Sequence, residues 1–406
     1  MTKPSSASDS AVQARLPHAR NLGLLVGAQT LGGASAPIII SLGGIVGQQL
    51  ASDPELATLP VSLYNLGLAL STIPAAMLMR LIGRSRAYML GAVLAILSGL
   101  IAAYGIVIGS FLTFCVGTAM AGFYGACVQS YRFAATEAVE APRRPKAISM
   151  VMIGGLAAAV IGPQVVIWTR DAWQAAPFAG SFLGQAGLAL LALPLLMLLR
   201  PTPMAREVSG KGRSLLEIAT TPRFIVAVVA GIVSYGLMAF IMTAAPMAMV
   251  GHDHSISDAA LGIQWHVLAM FAPSFFTGML ITKFGKIQIT ALGLLIMAAS
   301  GWLALQGVGL TEFWGSLVLL GVGWNFGFIG STSMLTEVYR PEERMKVQAL
   351  NDFLVFGTVA AASFSSGHLL HSSGWFSINS LMMPIIAVVL VMLGWLGWKE
   401  RGAQAA

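Results

Sequence analysis

Runs of about 20 apolar residues, nearly free of charge, recur from one end of this chain to the other. Lipid gives a backbone no hydrogen-bond partner, so a run of that length is satisfied only as a helix crossing a bilayer. The runs lie near 22–48, 56–79, 87–108, 111–133, 147–168, 177–199, 224–249, 259–282, 287–307, 312–335, 348–370 and 376–398, which predicts twelve spans. Only 10% of the residues are charged and 56% are hydrophobic, whereas soluble domains carry about 25% charge. A water-soluble fold is excluded on that ground. Most of the 45 glycines fall inside the apolar runs, where they let helices approach closely. Cys115 and Cys127 share one run, which offers neither a disulfide framework nor a metal cluster.

The net charge of +7 would suit a nucleic-acid binder, but the basic residues lie in short links between runs, where they act as topology signals. With both termini inside, Arg170 alone lies in an outer link, while Arg132 sits at the inner end of the fourth span. The first run is longer than a signal-peptide core and is read as a retained span. The expected organisation is a cytoplasmic tail over 1–21, six spans over 22–199, a Pro- and charge-containing cytoplasmic linker over 200–223, six spans over 224–398 and a cytoplasmic tail over 399–406.

An internal repeat supports that division. Sliding the chain by 202 positions aligns the segment from Ala76 with the segment from Gly278 and superposes Gly83-Arg84 on Gly285-Lys286, Gly91 on Gly293, and Ser98-Gly99 on Ser300-Gly301. A shift of 200 pairs Thr136-Glu137 with Thr336-Glu337, Arg144 with Arg344 and Lys146 with Lys346. Two homologous six-helix halves are the economical reading.

With twelve spans, a six-plus-six repeat and these link residues, the chain resembles the major facilitator superfamily over nearly its whole length. The link after the second span in that family reads Gly-x-x-x-Asp-Arg-x-Gly-Arg-Lys/Arg. Gly83, Arg84 and Arg86 keep its core, while Arg80 occupies the acidic position. The second copy keeps Gly278, Lys283, Gly285 and Lys286, with Thr282 at the acidic position. The resemblance implies an all-α integral membrane fold of two pseudo-symmetric bundles that move a solute by alternating access. In the fifth span, Gly154-Gly155 and Gly162-Pro163 partly match the glycine-rich motif of the family's antiporters, with Val166 and Ile167 in place of its last glycines.

No Asp, Glu, Lys or Arg lies near the middle of any span, so coupling through a central carboxylate has no support. Charges gather instead at inner helix ends. Arg80, Arg84, Arg132 and Lys346 are candidates to pair with Glu137, Glu337 and Asp352 as a cytoplasmic gate, against a plain role as interfacial anchors. Polar and aromatic residues near midspan, Tyr64, Asn65, Tyr124, Tyr235, His266, Trp324 and Asn325, with Gln29 slightly inward, are candidates to line a substrate cavity. Interhelical packing is the competing reading for each of them. The repeat makes Tyr64 and His266 equivalent, and His266 is the midspan group that titrates near neutrality, so it is a candidate proton carrier. His252-Asp253-His254 lacks further ligands and reads as a solvated loop.

Ser209–Ser214 lacks the first glycine of a nucleotide-binding loop, and no hydrolase or metalloprotease motif occurs, which argues against a pump ATPase or an enzyme. The expected protein is a monomeric, multi-pass secondary transporter of a bacterial inner membrane, with no cofactor, metal or nucleic acid. Its partners are the lipid bilayer, a small organic solute and, for export by antiport, protons. Efflux is slightly favoured by the fifth span. Uptake of a nutrient or vitamin-like solute is the alternative, and a transporter-like sensor is the reading of another class.

Overall fold

The computed structural model describes residues 7–137, 139, 144–200, 212–340 and 342–405, without the side chains of 7–19, 136–137, 144–146, 345 and 402–405. Among the described residues all regular structure is helical. In chain order the helices are α1 (Ala7–Gly32), α2 (Ser35–Leu50), α3 (Leu59–Ile82), α4 (Arg84–Val107), α5 (Phe111–Glu137), α6 (Arg144–Thr169), α7 (Ala179–Met197), α8 (Leu215–Ala219), α9 (Pro222–Gly251), α10 (Ile256–Phe271), α11 (Ser274–Phe284), α12 (Lys286–Ala304), α13 (Leu310–Leu335) and α14 (Arg344–Ala405).

Ten helical segments are long and apolar enough to cross a membrane, and the bent pair α10 and α11 supplies an eleventh. The last segment, Lys346–Arg401, has 56 residues, about 84 Å if straight against a hydrocarbon layer of about 30 Å. Gly374, at φ 77°, breaks it. It therefore holds two spans, and twelve are reached. The span expected over 259–282 is bent by 42° between α10 and α11. Pro273 sits at the break, where its missing N–H removes a rung of the helix. The N-terminal helix starts at Ala7, well before the predicted boundary at residue 22.

The repeat is visible in backbone geometry. Gly83 joins α3 to α4 at φ 84°, ψ 157°, and Gly285 joins α11 to α12 at φ 97°, ψ 155°, a conformation that a side chain would strain. These equivalent glycines turn equivalent links. A Cβ on Gly122 of α5 would strike the Tyr64 carbonyl, and one on Gly321 of α13 would strike the His266 carbonyl, so the Tyr64/His266 equivalence holds in space. Ser98 donates to the Gly117 carbonyl (2.7 Å) and Ser300 to the Ser316 carbonyl (2.8 Å), tying α4 to α5 and α12 to α13. Bulky side chains are kept out of these crossings, and dispersion between close backbones holds them where lipid supplies no hydrophobic drive.

Candidate binding cavity

A cavity lies between the two halves, lined by α1, α2, α3, α5 and α6 on one side and α9, α10 and α14 on the other. Helical spacing places its walls. On α5, Gly125, Val128, Gln129 and Arg132 recur at i, i+3, i+4 and i+7, and on α9 so do Tyr235, Met238, Ala239 and Met242. The α1–α2 bend at Gly32-Gly33 turns Gln29 to the cavity, and α3 adds Tyr64 and Asn65. Met152, Met270 and Phe271 complete a mostly apolar surface. The Asn65 Nδ2 is buried and has no hydrogen-bond partner among the described residues, so it is a donor available to a ligand. Arg132 is the charged residue of the lining. It is enclosed by protein yet keeps accessible surface because it faces the empty space, and its guanidinium lies 4.9 Å from the centre of the Phe133 ring. It makes no ion pair among the described residues, although it interacts electrostatically with Asp352 of the other half.

Four of the eight expected cavity residues, Gln29, Tyr64, Asn65 and Tyr235, meet there. The other four stand one layer back. Tyr124 packs against Gly32 and Gly91, behind the α1 wall. Trp324 is edge-on to Tyr235 at 5.2 Å and stacked on Phe328 at 5.4 Å, so it braces an aromatic that does face the cavity. Asn325 donates to the Met270 carbonyl (2.6 Å) and Ser274 Oγ (2.7 Å) and accepts from Thr277 (2.6 Å), clamping the α10–α11 bend. His266 is fully buried, and its Nδ1 donates to the Leu317 carbonyl at 2.7 Å. A carbonyl only accepts, so that nitrogen carries the proton, and Nε2 meets no partner among the described residues. The imidazole packs between helices instead of facing the cavity. Sequence reasoning missed Gln129 and the four methionines, although the spacing of Gln129 from Arg132 and of Met238 and Met242 from Tyr235 carried a signal. His252 and His254 bond to the Ala248 and Val308 carbonyls, and no metal-binding cluster exists among the described residues.

Four of the gate candidates have partners in their own half or at the end of the linker. Glu337 pairs with Arg223 and Lys286, Lys346 donates to the Arg213 carbonyl, Asp352 accepts from Asn351 (3.1 Å), and Arg84 donates to the Tyr88 hydroxyl (3.1 Å). Among the described residues neither Arg80, Arg84 nor Arg132 bonds to Glu337 or Asp352, and the Glu137 side chain lies outside the described residues. At the same end Arg213 binds Glu343 with Nε (3.0 Å), Nη2 (2.8 Å) and its backbone N–H (2.7 Å). The guanidinium, with a further N–H from Arg340, holds this buried carboxyl well below the usual carboxylate range.

The opposite end is sealed by a seam between the halves. Gln164 donates to Gln264 (3.0 Å), Thr58 to the Phe364 carbonyl (3.3 Å) and Ser62 to Ser363 (3.4 Å), and Glu55 meets His368 (2.9 Å). Gly367 lies against Thr58 and Gly44 against Met247. The cavity is thus capped at the seam, and no hydrogen bond or ion pair among the described residues joins the two halves at the link end.

Comparison with known proteins bears on what such a cavity holds. The Major Facilitator Superfamily profile matches residues 22–263 and 227–406. The chain is 60% identical over 389 residues to the riboflavin transporter RfnT of Brucella anthropi, covering 95% of this chain and 98% of that protein. It is 30% identical over 396 residues to the uncharacterized MFS-type transporter YddS of Bacillus subtilis, covering 92% of this chain and 89% of that one. The crystal structure of a point mutant of the nucleoside transporter NupG shares the fold at TM-score 0.70 and 10% identity, covering 91% of this chain and 98% of that one.

Proposed function

This chain belongs to the major facilitator superfamily, and from that premise we propose that it takes up riboflavin, or a flavin of the same ring chemistry, by alternating access. The carrying observation is the 60% identity to a riboflavin transporter along 95% of the chain. The cavity fits that substrate in kind. A flavin ring is planar and apolar at one edge, with carbonyl acceptors and an imide N–H at the other, and its side chain carries hydroxyls. Tyr235, Phe271 and the methionine thioethers offer surface to the ring faces, while Asn65 Nδ2, Gln29, Gln129 and Arg132 offer donors to the carbonyls and hydroxyls.

Uptake replaces export as the preferred direction. The fifth-span glycines that favoured export have a packing use, since a Cβ on Gly154 would meet the Val26 carbonyl and one on Gly162 the Ala34 carbonyl. We place both termini and the basic links in the cytoplasm by the excess of Lys and Arg there. The seam is then extracellular in orientation and the structure faces inward. Rocking of 22–199 against 224–398 would open the seam and close the mouth, bringing Arg132 towards Asp352.

Riboflavin flux into proteoliposomes containing the purified protein tests the reading. Saturable uptake is expected, with the Asn65→Ala variant raising KM about tenfold for one lost hydrogen bond in a dry site. Binding without flux would make the protein a sensor, and absence of both would remove flavins as its substrate.

A further inference from the structure

The first span is one crossing made of two helices, with α1 ending at Gly32 and α2 starting at Ser35. The sequence accounts for the break. Pro37 has no N–H for the Gly33 carbonyl and its ring crowds that carbonyl, while Gly32-Gly33 is a poor helix former just before it. Gly33 still donates to the Gln29 carbonyl (2.9 Å) and Ile38 to the Ala34 carbonyl (3.3 Å), but between them the N–H groups of Ala34, Ser35 and Ala36 reach back to no carbonyl among the described residues. No side chain caps the start of α2. The fold does not call for this, because α9, the first span of the other half, runs unbroken over 30 residues.

Irregular backbone at membrane depth is tolerated where it is buried in protein or lines a cavity, and Gly32, Gly33, Ser35 and Ala36 line the cavity between the halves. Ser35 is only 5% exposed, and its hydroxyl, which opens on that cavity, makes no hydrogen bond among the described residues. The Gln29 amide folds over the break, since a Cβ on Gly33 would lie 3.2 Å from its Nε2. A helix N-terminus also carries partial positive charge. The break therefore gathers two cavity-lining amides, a hydroxyl and a side-chain amide into a cluster of donors. Gly32 packs against Val128 of α5, one turn short of Arg132, so the charged group of the lining stands beside the cluster and not in it. Neutral donors and a partial charge suit an uncharged carbonyl oxygen, whereas a full anion is the charge-assisted partner of a guanidinium.

We infer that the α1–α2 break is the subsite for the carbonyl edge of the solute, where the Ser35 and Ala36 N–H groups and the Ser35 hydroxyl donate to ring carbonyl oxygens. The inference rests on the flavin reading of the cavity and adds an orientation to it. With the carbonyl edge on the break, the ring faces meet Tyr235 and Phe271 of the other half. The hydroxylated chain then runs along α5 towards Gln129 and Arg132. Discrimination between a carbonyl oxygen and a weaker acceptor at the same ring position resides at the break.

Equilibrium binding of riboflavin, 2-thioriboflavin and 4-thioriboflavin to the purified full-length protein tests it, since sulfur is a weaker acceptor than the oxygen it replaces. The native protein should prefer riboflavin to at least one thio analogue by about tenfold. Two variants should reduce that preference to about threefold or less: Ser35→Ala, which removes the hydroxyl, and Pro37→Ala, which returns an N–H and lets the helix close across the break. The change should come from weaker riboflavin binding and not from tighter binding of the analogue, which would be the mark of added room. Thermal unfolding of Pro37→Ala should not be lowered, and Ser35→Ala decides alone should Pro37→Ala fail to fold. Gln129→Ala, on the wall assigned to the hydroxylated chain, should weaken all three ligands alike and keep the preference. Riboflavin bound without preference, a preference unchanged in Ser35→Ala, or one lost as fully in Gln129→Ala overturns the subsite and leaves the flavin reading standing. Absence of riboflavin binding to the native protein removes the flavin reading and the subsite with it.

Discussion

The two ends of this molecule are held together by different chemistry. At the seam, short neutral side chains meet across the halves, with Gly367 and Gly44 giving the room. At the link end, charged groups are numerous, and the ion pairs among the described residues lie inside one half or involve the end of the linker. Neutral contacts of this kind are individually worth about 1 kcal/mol, so a seam made from a few of them closes firmly and still opens in a working cycle. Charges satisfied within one half have nothing to lose when the halves part at that end. The difference teaches that the conformational equilibrium is set at the seam by fit, while the link end sets the integrity of each half.

The largest effect should therefore come from spoiling the fit. A methyl group on Gly367 would run into the buried Thr58 side chain, and overpacking costs about 1–3 kcal/mol. Gly367→Ala should lower the proposed riboflavin uptake about tenfold by disfavouring the sealed seam, although Ala is the better helix former. Thr58→Ala/Gly367→Ala, which makes the room again, should recover uptake to within about threefold of native. Failure of the pair to recover would mean that fit at this contact does not govern the equilibrium.

The fold was legible because its signals are strong and periodic: the spans follow from run length and the two halves from glycine-basic pairs that turn out to share one backbone conformation. The cavity was half legible. Tyr64, Asn65, Gln29 and Tyr235 were found by asking which polar residues sit at midspan depth, but depth does not say which way a side chain points. Tyr124, His266, Trp324 and Asn325 share that depth and face neighbouring helices. Facing is carried by the i, i+3, i+4, i+7 register, which joins Gln129 to Arg132 and Met238 and Met242 to Tyr235. The seam was illegible, since Ser, Thr and Gly in apolar runs look alike whether they meet the same half or the other.

A smaller effect is expected at the link end, through stability rather than rate. Glu343→Gln removes the acid that receives Arg213, and the variant should unfold several degrees below the native protein, with the maximal uptake rate reduced about twofold by loss of folded protein and KM unchanged. The pH dependence has a definite sign. Because the folded carboxyl is held below its ordinary value of 4.5, the stabilisation is complete above that value and declines as pH falls below it towards the folded value. The difference in melting temperature between native and variant protein should be level from pH 8 to pH 5 and narrow in stronger acid. A difference that widens as pH falls would assign the stabilisation to another group.

The smallest effect belongs to the one charged contact of the seam among the described residues. Glu55 and His368 are 2.9 Å apart, but their side chains are 47% and 53% exposed, and the pair is ionic only when the imidazole is protonated. Exposed pairs contribute about 0–1 kcal/mol, so Glu55→Gln should change uptake by less than about threefold. Uptake by the two variants measured side by side ranks the two contacts directly. A larger loss from Glu55→Gln than from Gly367→Ala would reverse the comparison, making charge and not fit the closure of the seam.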